Sequence, residues 1–295
     1  MTSRHFCLLR RLFATAALVV LSVHAGLADD PVQRPLQRST PGGGRPASTT
    51  APAGGTAATP VQEQPAVDEH PLIPAIRLAE HSLASMATVK DYQALIARQE
   101  LVNGEMVVES MQIKFREEPF SVYLLFGGEN AGREVLYVEG RNDNKLMAHE
   151  GSGLASFIGT LSLAPDNPQV TKQSRHKITE IGLRNMLGAL ITRWKEESKY
   201  GEIDVKYYHD ARIGERQCLA IESSHPRPRK QFKFHITRLY IDKESDIAVR
   251  LENWGFPTQP NGKPVLIEEY TYSNVKTNIG LTDADFDRNN PAYRF

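Results

Sequence analysis

The chain has 295 residues, with 35 basic against 35 acidic side chains and a formal net charge of +0. Near-neutrality gives no electrostatic footprint for nucleic acid, so that class of partner is excluded. The two cysteines are Cys7 and Cys218. Cys7 precedes an apolar run that has the form of a signal, which leaves one thiol and no internal disulfide.

The first 28 residues carry the marks of export. Arg4, Arg10 and Arg11 form a positive n-region, Leu12 to Val23 a short apolar stretch, and Gly26-Leu27-Ala28 a small-residue end. The stretch is too short for a confident membrane span, and no cysteine follows it to accept a lipid. The expectation is an exported protein of the periplasm or cell envelope, with peripheral membrane contact at most. Without the signal the charge is 32 basic against 35 acidic, or −3. Residues 29–70 are rich in Pro, Gly, Ala, Thr and Gln. They cannot bury enough apolar surface to offset their ordering entropy, so a disordered linker is expected. Residues 71–295 remain as a single β-rich domain, because no second linker interrupts them.

After Pro74, Ile76, Leu78, Ala79, Leu83 and Met86 recur at helical spacing. Alternating strands follow at about Tyr92 to Val102, Met106 to Arg116, Phe120 to Phe126, Glu134 to Glu139 and Lys145 to His149. Asn103-Gly104 between the first two is a strong hairpin signal, since a type I′ turn needs positive φ at both central residues. In the second strand Met111, Ile113 and Phe115 share one face and Gln112, Lys114 and Arg116 the other, so one face is covered and one is wet. Leu154 to Leu163 is apolar with Gly and Ser, a short helix or lid. A helix is expected from about Lys177 to Ser198, with Leu183, Met186, Leu187, Leu190, Ile191 and Trp194 as its apolar stripe. Strands return at about Glu202 to His209, Gln217 to Ser223, Phe232 to Ile241, Ile247 to Asn253 and Val265 to Ser273. The order helix, strands, helix, strands predicts an α+β fold: one strongly curved antiparallel sheet with helices on its concave face.

Lys114-Phe115-Arg116, Pro119-Phe120, Tyr137 to Asn142 and the ending Leu281 to Phe286 with Asn290 to Phe295 resemble an exported bacterial family, domain of unknown function 1571. More distantly the layout resembles the periplasmic lipoprotein carriers and the outer-membrane lipoprotein receptor. That resemblance implies a half-open barrel with a helical lid over a cavity for acyl chains. In the carriers a strand ends in Lys-Arg-Pro, and its arginine helps to close the lid. Here Lys114 and Arg116 precede Pro119, with Phe115, Glu117 and Glu118 interrupting, so Arg116 is the latch candidate.

The candidate cavity lining is Met111, Ile113, Phe115, Val122, Leu124, Phe126, Phe232, Phe234, Ile247, Val249 and Leu251. The same residues serve equally as a core filled by the two helices. The lid candidates are Leu154, Phe157, Ile158 and Leu161 from one segment and Leu187, Leu190, Ile191 and Trp194 from the helix. Asp283, Asp285 and Asp287 space like the start of a calcium loop, but Arg288 and Arg294 stand where Gly and Glu are needed. A capped turn, with Thr282 as N-cap and Phe286 packed inward, is the better reading. His225-Pro226-Arg227-Pro228-Arg229-Lys230 is a basic loop, a solvated hairpin tip unless it holds a lipid phosphate or acidic partner. The seven remaining histidines have no metal spacing, and Gly151-Ser152-Gly153 is not a nucleophile elbow. Glu268 and Glu269 point to opposite faces of one strand and cannot act together. The expectation is therefore no cofactor and no enzymatic activity, and a lipid or lipidated protein as ligand. The alternatives are an envelope interaction or sensing module with a filled core, and a hydrolase assembled from distant loops.

Overall fold

The computed structural model describes residues 69–295, and the expected signal and linker lie outside the described residues apart from Glu69 and His70. Eleven strands form one antiparallel sheet in the order β6-β5-β4-β3-β2-β1-β11-β10-β9-β8-β7. The first half is a meander of β1 (Asp91–Val102), β2 (Glu105–Arg116), β3 (Ser121–Phe126), β4 (Glu134–Val138), β5 (Leu146–His149) and β6 (Leu161–Leu163). The second half, β7 (Asp204–Ile213), β8 (Arg216–Ser224), β9 (Ile236–Asp242), β10 (Ala248–Gly255) and β11 (Val265–Thr277), returns so that β11 pairs with β1. The edges β6 and β7 stay apart, so the sheet is curved but unclosed.

The Asn103-Gly104 turn has φ of 52° and 88°, and Val102 pairs directly with Glu105. This is the two-residue hairpin that the dipeptide predicts. Helix α1 (Leu72–Ser85) buries Leu72, Ala75, Ile76 and Ala79, one stripe at helical spacing. A single-turn helix, α2 (Pro168–Thr171), precedes the segment that crosses the sheet. Helix α3 (Leu183–Glu197) buries Leu183, Leu187, Leu190, Ile191 and Trp194. Both long helices contribute to one core with the concave face of the sheet.

Three elements differ from the sequence expectation. The helix begins at Leu183 rather than Lys177. Gly182 has φ of 126°, and a Cβ there would lie 2.8 Å from the Phe115 ring. Only glycine permits both that backbone and that approach. Residues 177–182 instead form a single 3-10 turn and an extended step across the concave face. Strand β9 starts at Ile236, so Phe232 and Phe234 lie in the preceding loop. Leu154 to Leu163 divides into a 3-10 turn, Leu154–Ile158, and the edge strand β6.

The convex face of β3 and β4 is covered by the C-terminal segment. Phe286, Tyr293 and Phe295 pack with Tyr123, Leu136 and Val138, and the Tyr123 and Tyr293 rings stack at 4.0 Å. Thr282 and Asp285 form a capping box, with the Thr282 N–H donating to Asp285 Oδ2 at 2.9 Å. Two carboxylates of the calcium-like spacing are taken by cations, Asp283 by Arg116 and Arg141 and Asp285 by Lys114, and the third, Asp287, accepts the Asn289 backbone N–H at 2.8 Å. Among the described residues no group of His, Cys, Asp and Glu can hold a metal ion.

Candidate functional site

The concave face changes character along its strands. Register places Tyr92, Ala94 and Ile96 of β1 opposite Phe115, Ile113 and Met111 of β2, all buried and apolar. One step on, Arg98 faces Glu109 and Tyr270. The next row crosses five strands as Glu100, Glu268, Asn253, Thr237 and Ser223. Each of these five is at most 4% exposed, so the row is a buried polar stripe. Buried polar groups must be paired, and this row is. Asn253 Nδ2 donates to Glu268 Oε1 at 2.8 Å, and Thr237 Oγ1 donates to Asn253 Oδ1 at 2.8 Å. Tyr270 Oη donates to Glu100, and the Trp194 indole to Ser223 Oγ at 3.1 Å.

The crossing segment and α3 complete the network. The Arg175 backbone N–H donates to Glu100 at 3.0 Å and its Nε to Glu268 Oε2 at 2.9 Å. His176 Nε2 lies 3.2 Å from the same Glu268 oxygen, and its Nδ1 lies 3.3 Å from Glu180. The hydrogen bond to Glu268 raises the His176 imidazole above its ordinary value. Burial pushes the Glu268 carboxyl up, but hydrogen bonds from His176, Asn253 and Arg175 and the imidazolium charge outweigh it and hold it at about 2. Burial, then the Glu100 charge, pushes the Tyr270 phenol far up, so it remains a donor.

Between this stripe, α3 and residues 176–182 lies a cavity of about 690 Å³. Its floor is Leu251, Asn253, Glu268, Tyr270 and Tyr272; Ile181, Met186, Ala189 and Leu190 line the helical side. Asn185, Ala189 and Thr192 are exposed, so the cavity opens along that side of α3. The volume lies in the range of small-ligand sites, and an apolar body with a few placed polar groups is their usual lining.

Of the eleven lining candidates, only Leu251 borders this cavity. Met111, Ile113, Phe115, Val122, Leu124, Phe126, Ile247 and Val249 sit in the core with Leu251, packed by α1 and α3. Phe232 and Phe234 are buried outside that core: Phe232 stacks on His225 at 3.7 Å, and Phe234 lies under Arg193. Among the lid candidates Leu190 borders the cavity, while Leu187, Ile191 and Trp194 are core. Phe157, Ile158 and Leu161 are 87%, 59% and 41% exposed and do not border it; Leu154 occupies the same 3-10 turn as Phe157. The segment over the cavity is 176–182 instead.

Arg116 points to the convex face. It donates to Asp283 at 2.8 Å and to Ser121 at 3.2 Å, and its guanidinium lies 4.9 Å from the Phe286 ring centre. It clamps the C-terminal turn, on the side away from the cavity. The basic loop is anchored, not simply a free tip. His225 is buried beside Glu197 at 3.4 Å, and Arg229 makes a paired contact with Glu202 at 2.9 and 2.6 Å. Glu268 and Glu269 do lie on opposite faces, Glu269 bonding Arg250 at 2.8 Å.

The cavity residues missed from sequence are His176, Arg193, Asn253, Glu268 and Tyr270. A signal was present for Asn253, Glu268 and Tyr270, polar side chains at inward-facing strand positions whose neighbouring inward positions are apolar, but none for His176 in its loop or Arg193 on α3.

Solved structures with similarity to this chain include the lipoprotein LppX of Mycobacterium tuberculosis, at 12% identity over 73% of this chain and 100% of that one, with a TM-score of 0.42. LprF of Mycobacterium bovis gives 12% identity, 72% and 97% coverage and a TM-score of 0.41. A LolA superfamily protein of Nitrosomonas europaea gives 10% identity, 72% and 96% coverage and a TM-score of 0.29. No curated protein matches the chain. Residues 89–295 match the family described as Protein of unknown function (DUF1571), and the chain belongs to that family.

Proposed function

We propose that the protein is an exported, non-enzymatic binding protein that holds an apolar, lipid-like ligand or the lipid of a lipidated protein. The observation that carries this reading is the cavity of about 690 Å³ on the concave face, with Leu251, Tyr272, Ile181, Met186, Ala189 and Leu190 as its apolar lining. Protein interiors are close-packed, so a space of this size beside a filled core has a use. The polar stripe supports binding rather than chemistry. Its carboxylates are already engaged by Arg175, His176, Asn253 and Tyr270, which leaves them as scaffold and orienting groups.

The test is mass spectrometry of lipid co-extracted with the purified protein, beside uptake of a fluorescent fatty-acid probe. Co-purified amphiphile and saturable uptake are expected. A folded protein that takes up no probe and carries no lipid sinks the reading. That result would favour an interaction module, for which the exposed Phe157, Ile158 and Leu161 at the sheet edge are the motivating observation.

A further inference from the structure

The charges around the cavity are not evenly matched. Each carboxylate that lines it has a basic side chain within 3.3 Å, His176 serving two of them. Glu268 has Arg175 at 2.9 Å and His176 at 3.2 Å, Glu180 has His176 at 3.3 Å, and Glu196 has Lys199 at 2.6 Å. Two lining cations are not matched in this way. Lys233 has no ion pair among the described residues. The only ion-pair contact of Arg193 there is Glu197 at 3.8 Å, a carboxylate that also faces His225 at 3.4 Å.

Arg193 is nonetheless held in place. One edge of its guanidinium, at Nη2, donates to Thr237 at 3.2 Å and Asn253 at 2.9 Å. Its Nε is buried with no hydrogen-bond partner. The plane lies 4.7 Å from the Phe234 ring centre, and Lys233 Nζ lies 5.1 Å from the same ring. A desolvated, under-compensated guanidinium is costly unless an anion meets it. Burial lowers the Arg193 pKa below its ordinary value, outweighing the charges of Glu197 and Glu268 that act to raise it.

Resting on the binding reading above, we infer that the ligand is an anionic amphiphile, its carboxylate or phosphate head held by Arg193 with Lys233 at the mouth and its apolar body along Leu190, Leu251 and Tyr272. An arginine fixed along one edge keeps its remaining donors for a planar or tetrahedral oxyanion. The flexible lysine supplies a second charge from solvent as the head arrives. The apolar lining accounts for the tail, and the filled half of the sheet limits how far that tail reaches.

The experiment is competition against the bound fluorescent fatty acid by a long-chain fatty acid, an alkyl phosphate and a fatty alcohol of equal chain length, with inorganic phosphate as the fourth competitor. The two anionic amphiphiles should compete about ten-fold better than the alcohol, the size of one charge-assisted contact. Inorganic phosphate should compete far more weakly than the alkyl phosphate. Lys233→Gln, at an exposed position, should shrink the anionic advantage without altering thermal unfolding. Arg193→Gln should abolish it while the alcohol still binds. Equal competition by alcohol and acid in the wild type overturns the anionic head and leaves the apolar cavity standing. An anionic advantage unchanged in Lys233→Gln and in a folded Arg193→Gln also overturns it. Competition by inorganic phosphate equal to that of the alkyl phosphate overturns the amphiphile. If no probe binds at all, the cavity reading falls with it.

Discussion

At the scale of single residues, His176 couples the cavity to pH. Its imidazole is raised because Glu268 accepts from it, and Glu268 is held at about 2 because His176, Asn253 and Arg175 together outweigh burial. A raised histidine contributes stability fully below its unfolded value of about 6.5, and that contribution fades as pH rises through the higher folded value. The depressed Glu268 has the opposite limb: its contribution is complete above the ordinary 4.5 and is lost as pH falls toward about 2. The pair is therefore at full strength between those two ordinary values. The Glu100 charge and the hydrogen bond to Glu180 at the other ring nitrogen raise the imidazole further. His176→Gln should flatten the loss of thermal stability as pH rises above about 6.5, and should also shrink the acid limb, because His176 is one of the three groups that hold Glu268 down. Parallel melting curves across the alkaline range for wild type and variant would remove His176 from this role. None of this was visible in the chain order, where His176 stands 92 residues from Glu268.

Elements were legible where local chemistry alone decides them. The Asn103-Gly104 hairpin, the alternating faces of β2 and the capped turn at Thr282 each follow from a few adjacent residues, and each is present. The start of α3 was not legible, because the decisive contact is Gly182 against Phe115, on a strand far away in sequence. Phe232 and Phe234 mimic a strand by alternation. Their backbone leaves the ladder, with the His225 N–H on the His235 carbonyl at 2.9 Å and the His235 N–H on Trp254 at 2.7 Å. The hairpin offers a clean test of the first kind of element. At Gly104 an added Cβ meets nothing within 4 Å, so a side chain there is opposed by the backbone φ of 88° alone. Gly104→Val should destabilise the domain by about 1 kcal/mol or more, since a β-branched residue resists positive φ. Chemical denaturation reads this as a lower midpoint with an unchanged slope. An unchanged midpoint would mean that the turn relaxes at no cost.

For the whole molecule, the open question in the sequence was whether the concave face is filled or empty, and the fold divides it. The half built on β1–β4 and the apolar ends of β8–β11 is packed by α1 and α3. The half beside the polar stripe, under residues 176–182, is open. Sequence could not separate the two, since Leu124 and Leu251 occupy equivalent inward positions on their strands and differ only in what the helices leave uncovered. Two substitutions distinguish the halves. Leu124 is 3% exposed in the packed half and does not border the cavity. Leu124→Asn buries an amide without a partner there, costing about 1–3 kcal/mol of stability. Because the site lies across the sheet, the fraction still folded should take up probe with wild-type affinity. Ala189 lies on the exposed side of α3 and borders the cavity. Ala189→Phe places a ring in open space, so no core contact is displaced, and the helix loses only about 0.5 kcal/mol of intrinsic propensity. The ring occupies volume that the ligand needs, so probe uptake should fall steeply while thermal unfolding stays near that of the wild type. Measuring both quantities on both variants gives a crossed result: stability lost with binding kept in one, binding lost with stability kept in the other. If Leu124→Asn instead abolished uptake at full folding, the ligand would have to reach the packed half. If Ala189→Phe left uptake intact, the cavity beneath α3 would not be where the ligand sits.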